Sequence, residues 1–470
     1  MLALPDADLL ARYDGRAPRF TSYPPIPTWS DTVGPDDYAA ALLAVQGDPE
    51  PVSLYVHLPF CAERCWYCGC NVVIQKNPYA ADPYLEALAV EVARVSERIG
   101  RRKVGTLHLG GGTPNFLSGD QLHWLFRVLR ESSFDLSGAA IDVEIDPRAA
   151  NEVTIDTFAE LGATRFSFGV QDLDPDVGAA IGRVMDEAHV GRLISRARAA
   201  GIRGVNIDLM FGLPKQTTVS LERTVTSLLR HRPDRLAIYG YAHVPWMRPQ
   251  QRRLEPSGLP GAFERVALFG AAARVLTGAG YLPIGLDHFA VPSDELARAA
   301  SAGTLRRTFQ GYTTVSHRDQ IGLGVSAIGR VGGPSPLWVQ NTAVEKEYRR
   351  QAGLVTLRGL QATDDDVLRG RVIESIMCQL AVRPQNVAHL LDGAGFWARF
   401  PDARAALEPM ARDGLLLFEA DGLEVTELGR FFLRQIAATF DARSQMVALP
   451  ASPGAVLPST PAAPRYSASV

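Results

Sequence analysis

A chain of 470 residues is long enough for two or three domains around one large core. Its 46% hydrophobic and 21% charged residues describe an ordinary soluble globular protein, and a net charge of -3 leaves no polyanion-binding footprint. Asp6 and Asp8 interrupt the only apolar run near the start, and the uncharged stretch Met446 to Pro464 holds five prolines, so neither a signal peptide nor a membrane helix is read. Four clustered cysteines without scattered pairs argue against a disulfide framework and for a cytoplasmic protein whose thiols work reduced.

Residues 1–50 carry Pro18-Arg19-Phe20-Thr21-Ser22-Tyr23-Pro24-Pro25, a Pro- and aromatic-rich run that cannot be helical and reads as an extended N-terminal arm. Leu54–Leu58 alternates as a buried strand, and Cys61, Cys65 and Cys68 follow it with the spacing C-x3-C-x2-C, with Cys70 close behind. Three thiolates on one loop can hold three irons of a 4Fe-4S cluster and leave the fourth iron open to a small molecule. A zinc knuckle would recruit a second Cys or His pair further along, and none follows. Cys378, alone on an apolar helix face, reads as a packed thiol.

From residue 51 to 290 a strand–helix rhythm sets in. Apolar runs recur at Thr106–Leu109, Ile141–Ile145, Arg165–Phe168, Val205–Leu209 and Leu236–Gly240, with a seventh near Pro283–Leu286. Between them lie capped helices. Asp82-Pro83 reads as a cap with an N1 proline, and Ser118-x-x-Gln121 as a capping box. Such alternation predicts parallel strands with crossover helices. After successive strands stand Gly110-Gly111-Gly112-Thr113-Pro114, Glu144–Pro147, Gly169–Asp172, Asp208–Pro214 and Tyr241–Pro245, which a barrel-like sheet would gather on its carboxyl face. Residues 291–360 read as a connecting region that completes the site. Residues 361–445 read as a mainly helical, winged-helix-like domain, with strands Leu415–Phe418 and Leu423–Val425 around Asp421-Gly422. That domain has nine arginines, no lysine and thirteen carboxylates, which speaks against nucleic acid. Residues 446–470 form a Pro/Ala/Ser-rich tail, read as mobile.

Together these motifs resemble the oxygen-independent coproporphyrinogen III oxidases, radical S-adenosylmethionine (SAM) enzymes, over Pro18 to about Asp441. The resemblance rests on Pro18–Pro24, the cysteine loop with Cys70, Gly110–Pro114, Gly169–Asp172, Asn206–Pro214, Tyr241–Pro245, Gly285–Ala290 and Phe309–Thr314. It implies an α/β fold: a partial (β/α)6 radical SAM barrel with an N-terminal arm and a C-terminal helical domain over its mouth. It also implies a reaction in which a 5′-deoxyadenosyl radical takes a hydrogen from a propionate, so that two propionates of coproporphyrinogen III become vinyl groups.

Residue by residue, the resemblance makes Cys61, Cys65 and Cys68 the cluster ligands. Tyr55, Gly111, Glu144 and Ile328 match contacts to one SAM; Tyr67, Gly112, Thr113, Gln171, Arg183, Asp208 and Ala242 match contacts to a second. Cys70 matches a cysteine that is not a ligand and lies close to the substrate. His57, on the same strand face as Tyr55, points into the barrel; a satisfied core histidine is the alternative. Taken singly, Gly110–Gly112 could be only a tight turn, Glu144 and Asp208 helix caps, and Arg183 a surface charge. A substrate with four propionates calls for cationic anchors, for which Arg19 and Arg307 are the candidates. The expected partners are coproporphyrinogen III and an electron donor such as a flavodoxin or ferredoxin, with no nucleic acid or membrane, for a monomeric protein.

Three rival readings stand beside this one. A heme chaperone of the same lineage would lack the Pro18–Pro24 arm and Cys70. A radical SAM enzyme acting on another tetrapyrrole would share the barrel motifs. A winged-helix redox regulator would need a basic surface that residues 361–445 lack. The family's usual aromatic-Ser-Arg tip is replaced here by Arg465-Tyr466-Ser467-Ala468-Ser469-Val470.

Overall fold

The computed structural model describes residues 4–315, 317–391, 393–443 and 466–467. Apart from Tyr466 and Ser467, the expected mobile tail lies outside them.

Six strands run parallel in sequence order: β1 (Val52–Leu58), β2 (Arg102–Gly111), β3 (Ala140–Ile145), β4 (Arg165–Gln171), β5 (Gly204–Phe211) and β6 (Arg235–Gly240). Their apolar residues take every second position and face the helices, with mostly polar residues facing the lumen between them, which is why short alternating runs were enough to find them. The helices that cross over between them bury Leu85, Leu88 and Val92, or Leu122, Leu125 and Phe126, against the outer face. The capping box forms: Gln121 N–H donates to Ser118 Oγ at 3.3 Å and Ser118 N–H to Gln121 Oε1 at 2.9 Å. Asp82 does not cap its helix. A 3-10 turn over Pro78–Ala81 precedes it, and the Asp82 carboxylate accepts instead from Gln121 Nε2 at 2.5 Å.

The expected seventh unit near Pro283–Leu286 is different. Leu282–Ile284 (β7) is an antiparallel hairpin arm with β8 (His288–Ala290), and β8 pairs antiparallel with β6. Three residues separate β7 from β8, whereas a parallel crossover needs a dozen or more. The seventh parallel strand comes from the supposed connecting region. It is β9 (Asp319–Leu323), which pairs with β1 on the side away from β2. Beyond it β10 (Ile328–Val331), β11 (Leu337–Asn341) and β12 (Thr356–Gln361) continue the sheet antiparallel. Residues 291–360 are thus an integral flank of the sheet.

The arm and the C-terminal segment share a core. Leu9, Leu10, Tyr13, Phe20 and Tyr23 pack with Val372, Ile376, Phe432 and Phe440. Tyr13 Oη and Arg12 Nη1 both donate to Asp413 at 2.6 Å. The C-terminal strands Ala381–Val382, Leu416–Glu419 and Gly422–Val425 form a small antiparallel sheet beside the helix Asp364–Gln379, in which Cys378 is buried. No helix among the described residues is long and apolar enough to cross a membrane.

The helix Asp82–Ile99 binds two strand ends together. Tyr84 Oη donates to the His57 carbonyl at 2.6 Å and accepts from Val325 N–H at 3.1 Å. One turn pair further on, the fully buried Glu91 accepts from Gly324 N–H (2.7 Å), Asn341 Nδ2 (2.6 Å) and Tyr348 Oη (2.6 Å). Burial outweighs these donors and raises the Glu91 carboxyl to about 7. The native state therefore keeps a proton that the unfolded chain releases near pH 4.5. Stability should fall as pH rises through the window from about 4.5 to about 7, and not change on this account above it. Urea melts across that range, wild type against Glu91→Gln, check this: the glutamine should flatten the slope, and an identical slope in both proteins would refute it.

Candidate active site

The cysteine loop leaves β1 at Leu58 and is fixed to the glycine run at the end of β2. Gly112 N–H donates to the Leu58 carbonyl and Thr113 N–H to the Phe60 carbonyl, both at 2.8 Å. A Cβ on Gly112 would lie 2.6 Å from the Pro59 carbonyl carbon, and one on Gly111, whose φ is +108°, would strike the His57 ring at 2.5 Å. These positions need glycine because two backbones and a ring meet there. On its other side the loop is held by a segment that carries no recognisable motif. Arg248 Nε donates to the Gly69 carbonyl, Gln250 Nε2 to the Cys68 carbonyl and Gln251 Nε2 to the Tyr67 carbonyl, each at 2.8 Å. Gln251 Nε2 also reaches the Ala242 carbonyl at 3.2 Å, which joins Ala242 to the loop. The sequence reading missed these three residues; the one available signal was a cluster of polar side chains just after Tyr241–Pro245.

Each cysteine sits in a different environment. Cys61 Sγ is 3.2 Å from Thr113 Oγ1, and burial pushes its thiol up to about 12. Cys65 Sγ accepts from Arg148 Nη2 at 3.3 Å and Arg183 Nη1 at 3.5 Å. Cys68 is lowered to about 6, first by the hydrogen bond from the Cys70 thiol and further by the Cys70 N–H at 3.4 Å; the Cys70 thiol is correspondingly raised. Among the described residues no three such side chains are gathered as around a single ion. In a cubane each thiolate binds a different iron and the sulfurs stand further apart, and three thiols with donors aimed at their sulfurs fit that group.

Arg183 and Arg148 form one device with Asp146. Both Arg183 terminal nitrogens reach the Asp146 carboxylate at 3.0 Å, and Arg148 donates to it through Nε at 3.2 Å and Nη2 at 2.7 Å. Arg183 also donates to the Gly169 carbonyl through Nε at 3.1 Å. The guanidinium of Arg183, expected as a contact of the second SAM, is engaged on Asp146, and only 6% of the side chain is exposed. Gly169 itself stands at a bulge between β4 and β5, where Gln171 takes φ +70° and turns towards Arg183.

The lumen at the carboxyl ends collects the remaining candidates. Tyr55 lies between His108 on β2 and Gly322 on β9. Its hydroxyl is 3.0 Å from His57 Nδ1, while His57 Nε2 is 3.1 Å from the Asn71 carbonyl. The carbonyl fixes the proton on Nε2, so Nδ1 accepts from Tyr55, and burial lowers the ring's affinity for a second proton. His57 is thus a buried, satisfied histidine that faces the site. Glu144 accepts from His108 Nε2 (3.1 Å) and Gly111 N–H (3.2 Å); burial opposes its ionisation, but His108 and that N–H hold the carboxyl below its ordinary range. Its side chain is 43% exposed to the cavity. Asp208, raised by burial, accepts from Ser167 Oγ (2.7 Å) and Asn206 Nδ2 (2.8 Å). Ile328 is buried beside Trp29 and Trp338, with its carbonyl against Gly322. Arg19 donates to the Gly240 carbonyl at 2.7 Å, and Arg307 stacks on Tyr312 at 4.4 Å.

A parallel-stranded partial barrel with a three-cysteine loop at its carboxyl face defines a radical SAM protein, and the profile of the radical SAM superfamily matches residues 55–228. The chain belongs to the oxygen-independent coproporphyrinogen III oxidase family. It is 40% identical over 442 residues to the oxygen-independent coproporphyrinogen III oxidase of Pseudomonas aeruginosa, covering 93% of this chain and 95% of that one. The oxidase of Bradyrhizobium diazoefficiens is also 40% identical, over 93% and 97% of the two chains. Among solved structures, coproporphyrinogen III oxidase from Escherichia coli, described as a radical SAM enzyme, superposes with a TM-score of 0.87 at 36% identity over 94% of this chain and 100% of that one.

Proposed function

We propose that the chain converts two propionates of coproporphyrinogen III to vinyl groups without oxygen, giving protoporphyrinogen IX in porphyrin biosynthesis. The observation that carries this reading is the cysteine loop seated beside Tyr55, Glu144 and Asp208 in a chain akin to these oxidases over nearly its whole length. When bound, the 4Fe-4S cluster and SAM supply the radical that abstracts hydrogen from the propionate.

The protein's own share is to hold and orient. Cys61, Cys65 and Cys68 would ligate three irons, with Arg148 and Arg183 donating to the Cys65 sulfur to steady its charge. Glu144, ionised and open to the cavity, suits a ribose hydroxyl or an ammonium group, and Tyr55, Gly111 and Ile328 complete that wall. A second SAM is assigned to Tyr67, Gly112, Thr113, Gln171, Asp208 and Ala242; Arg183 serves there by setting Gly169 and Gln171 rather than by a free fork. Cys70, which is not assigned as a ligand, hydrogen-bonds to the Cys68 sulfur through its backbone N–H at 3.4 Å. Cysteines that form no disulfide, and the cluster they would hold, favour a cytoplasmic setting. The test is anaerobic: the reconstituted enzyme with SAM, reductant and coproporphyrinogen III should form 5′-deoxyadenosine and protoporphyrinogen IX together. Deoxyadenosine without the porphyrin product would reassign the substrate; neither product, with intact cluster and bound heme, would favour a heme carrier.

The outer face of the cysteine loop bears on electron supply. Arg253 stacks on Trp66 at 4.0 Å, and Arg252 and Arg253 are exposed next to the Gln250–Gln251 clamp. An acidic one-electron protein would be drawn to that face. The double change Arg252→Glu and Arg253→Glu should slow turnover driven by flavodoxin about tenfold or more while leaving turnover driven by dithionite unchanged; equal slowing of both would remove the docking role.

A further inference from the structure

Glu144 is the open carboxylate of the lumen wall, and three neighbours fix where it stands. β3 turns Asp142 and Glu144 towards the lumen, and its pairing with β2 sets His108 level with Asp142, one lumen position before Glu144. From there His108 Nε2 donates to Glu144 Oε1 at 3.1 Å, and Gly111 N–H donates to Oε2 at 3.2 Å. The carboxylate fills the space that a side chain at position 110 would need. A Cβ on Gly110 would stand 2.8 Å from Glu144 Cδ and Oε1 and 3.0 Å from Oε2. Gly110 has no positive φ, so this glycine makes room for the carboxylate rather than for a turn.

His108 is itself held. Tyr55, its partner in register on β1, places its ring 5.8 Å from the imidazole at an interplanar angle of 31°. Burial opposes a charge on the ring, yet Glu144, and then Asp142 and Asp208, keep it above its ordinary range. In the imidazolium so favoured both nitrogens carry protons, and the Nε2 donor is secure. The His108 side chain is 21% exposed against 43% for Glu144, so the carboxylate is the group that a molecule in the lumen meets first. A carboxylate offers about four acceptor positions. His108 and Gly111 take one on each oxygen, which leaves each oxygen another for a ligand hydroxyl or ammonium group.

We infer that His108 is a positioning residue for SAM, which holds Glu144 in one orientation before the ligand arrives while Gly110 keeps the floor beneath the carboxylate clear. The inference rests on the assignment of Glu144 to SAM above. An unheld glutamate spreads over several rotamers, and ordering it on binding costs affinity; one that is already ordered spares the ligand that loss. His108 acts through Glu144 and not on the reacting atoms. Its place in the sequence, two residues before the glycine run, gives no hint of this role. The partner lies 36 residues further on and meets it only through the ladder between β2 and β3.

The test measures the affinity of the iron-replete protein for SAM by equilibrium dialysis, without turnover. His108→Phe keeps a ring against Tyr55 but removes the donor, and it should weaken SAM about tenfold, the usual worth of a hydrogen bond to a charged group. His108→Gln, whose amide nitrogen can stand where Nε2 stood, should bind SAM nearly as tightly as the wild type. Gly110→Ala meets only the movable end of Glu144, so it should fold, push the carboxylate aside and weaken SAM by a similar factor. In a Glu144→Ala background His108→Phe should cost nothing further, because its target is gone. Unchanged SAM affinity in His108→Phe, an equal loss with and without Glu144, or His108→Gln as weak as His108→Phe would each overturn the inference. Should His108→Phe fail to fold, Gly110→Ala decides instead: a weakened SAM supports the mount, and wild-type affinity overturns it. A wild type that binds no SAM overturns the assignment of Glu144 and the mount together. Protoporphyrinogen IX is scored separately, so SAM binding that depends on His108 without that product contradicts the activity and not the mount.

Discussion

Asp146→Ala should destabilise the protein by about 3–5 kcal/mol, the usual cost of removing one partner from a buried ion pair. The side chain is 11% exposed and accepts from Arg183 twice, from Arg148 twice, and from the Arg148 N–H at 3.1 Å. Burial opposes its charge, yet the two guanidiniums hold its carboxyl below the usual carboxylate range. Without it, two partly buried cations keep one strong partner in common, the Cys65 sulfur that both already touch. The second consequence is therefore chemical. With the guanidiniums drawn onto the thiolate, Cys65 should bind iron less well, and reconstitution should stall below full iron content. Asp146→Asn keeps acceptor geometry without charge and should fall between. Urea melts of the apo-protein and iron per chain after reconstitution separate the two effects. A loss under about 1 kcal/mol with full iron would show that the arginines find other partners.

The parallel strands were legible because their signal is local. Alternating apolar residues and a polar or glycine terminus are fixed by the pleat and by the carboxyl-end site, so Leu54–Leu58 and its five successors could be found one at a time. The C-x3-C-x2-C spacing and the Ser118–Gln121 box were equally local. What escaped depends on pairing at long range. β9 opens on Asp319 and Gln320 and has Gly322 inside it, so no apolar run marks it, and only its ladder with β1 makes it the seventh parallel strand. The Asp82 cap failed because Gln121, from another helix, outbid the helix's own N–H groups. Gln250 and Gln251 carry no motif, and Asp146 stood in the Glu144–Pro147 run without a partner named for it; their roles arise from where the barrel brings residues 65, 67 and 68. Arg183 was legible as a site residue, but its ion pair with Asp146 was not, since a fork that suits a ligand carboxylate suits an aspartate equally well.

Gly112→Ala tests the other anchor of the cysteine loop, and its expected effect is on chemistry more than on stability. The added methyl would lie 2.6 Å and 2.7 Å from the Pro59 carbonyl carbon and oxygen and 2.8 Å from the Phe60 carbonyl oxygen. All three are backbone atoms, so no rotamer change can relieve the contact. The hydrogen bonds from Gly112 and Thr113 to Leu58 and Phe60 then stretch, and the loop that begins at Cys61 moves with them. Overpacking of this kind costs about 1–3 kcal/mol. A displacement near 1 Å at the reacting centre costs on the order of a hundredfold in rate. Gly119→Ala supplies the contrast: its Cβ would meet Thr157 Oγ1 at 3.8 Å, an ordinary contact, at the start of a helix. That change should leave turnover intact and add about 0.4–1 kcal/mol by restricting the unfolded chain. Deoxyadenosine formation and thermal melts of the two variants, side by side, decide whether position 112 acts through the loop. If Gly112→Ala keeps full iron and wild-type turnover, the glycine run is only a turn; if it folds with a modest loss of stability and forms almost no deoxyadenosine, the close approach of the two backbones is what sets the cysteines in place.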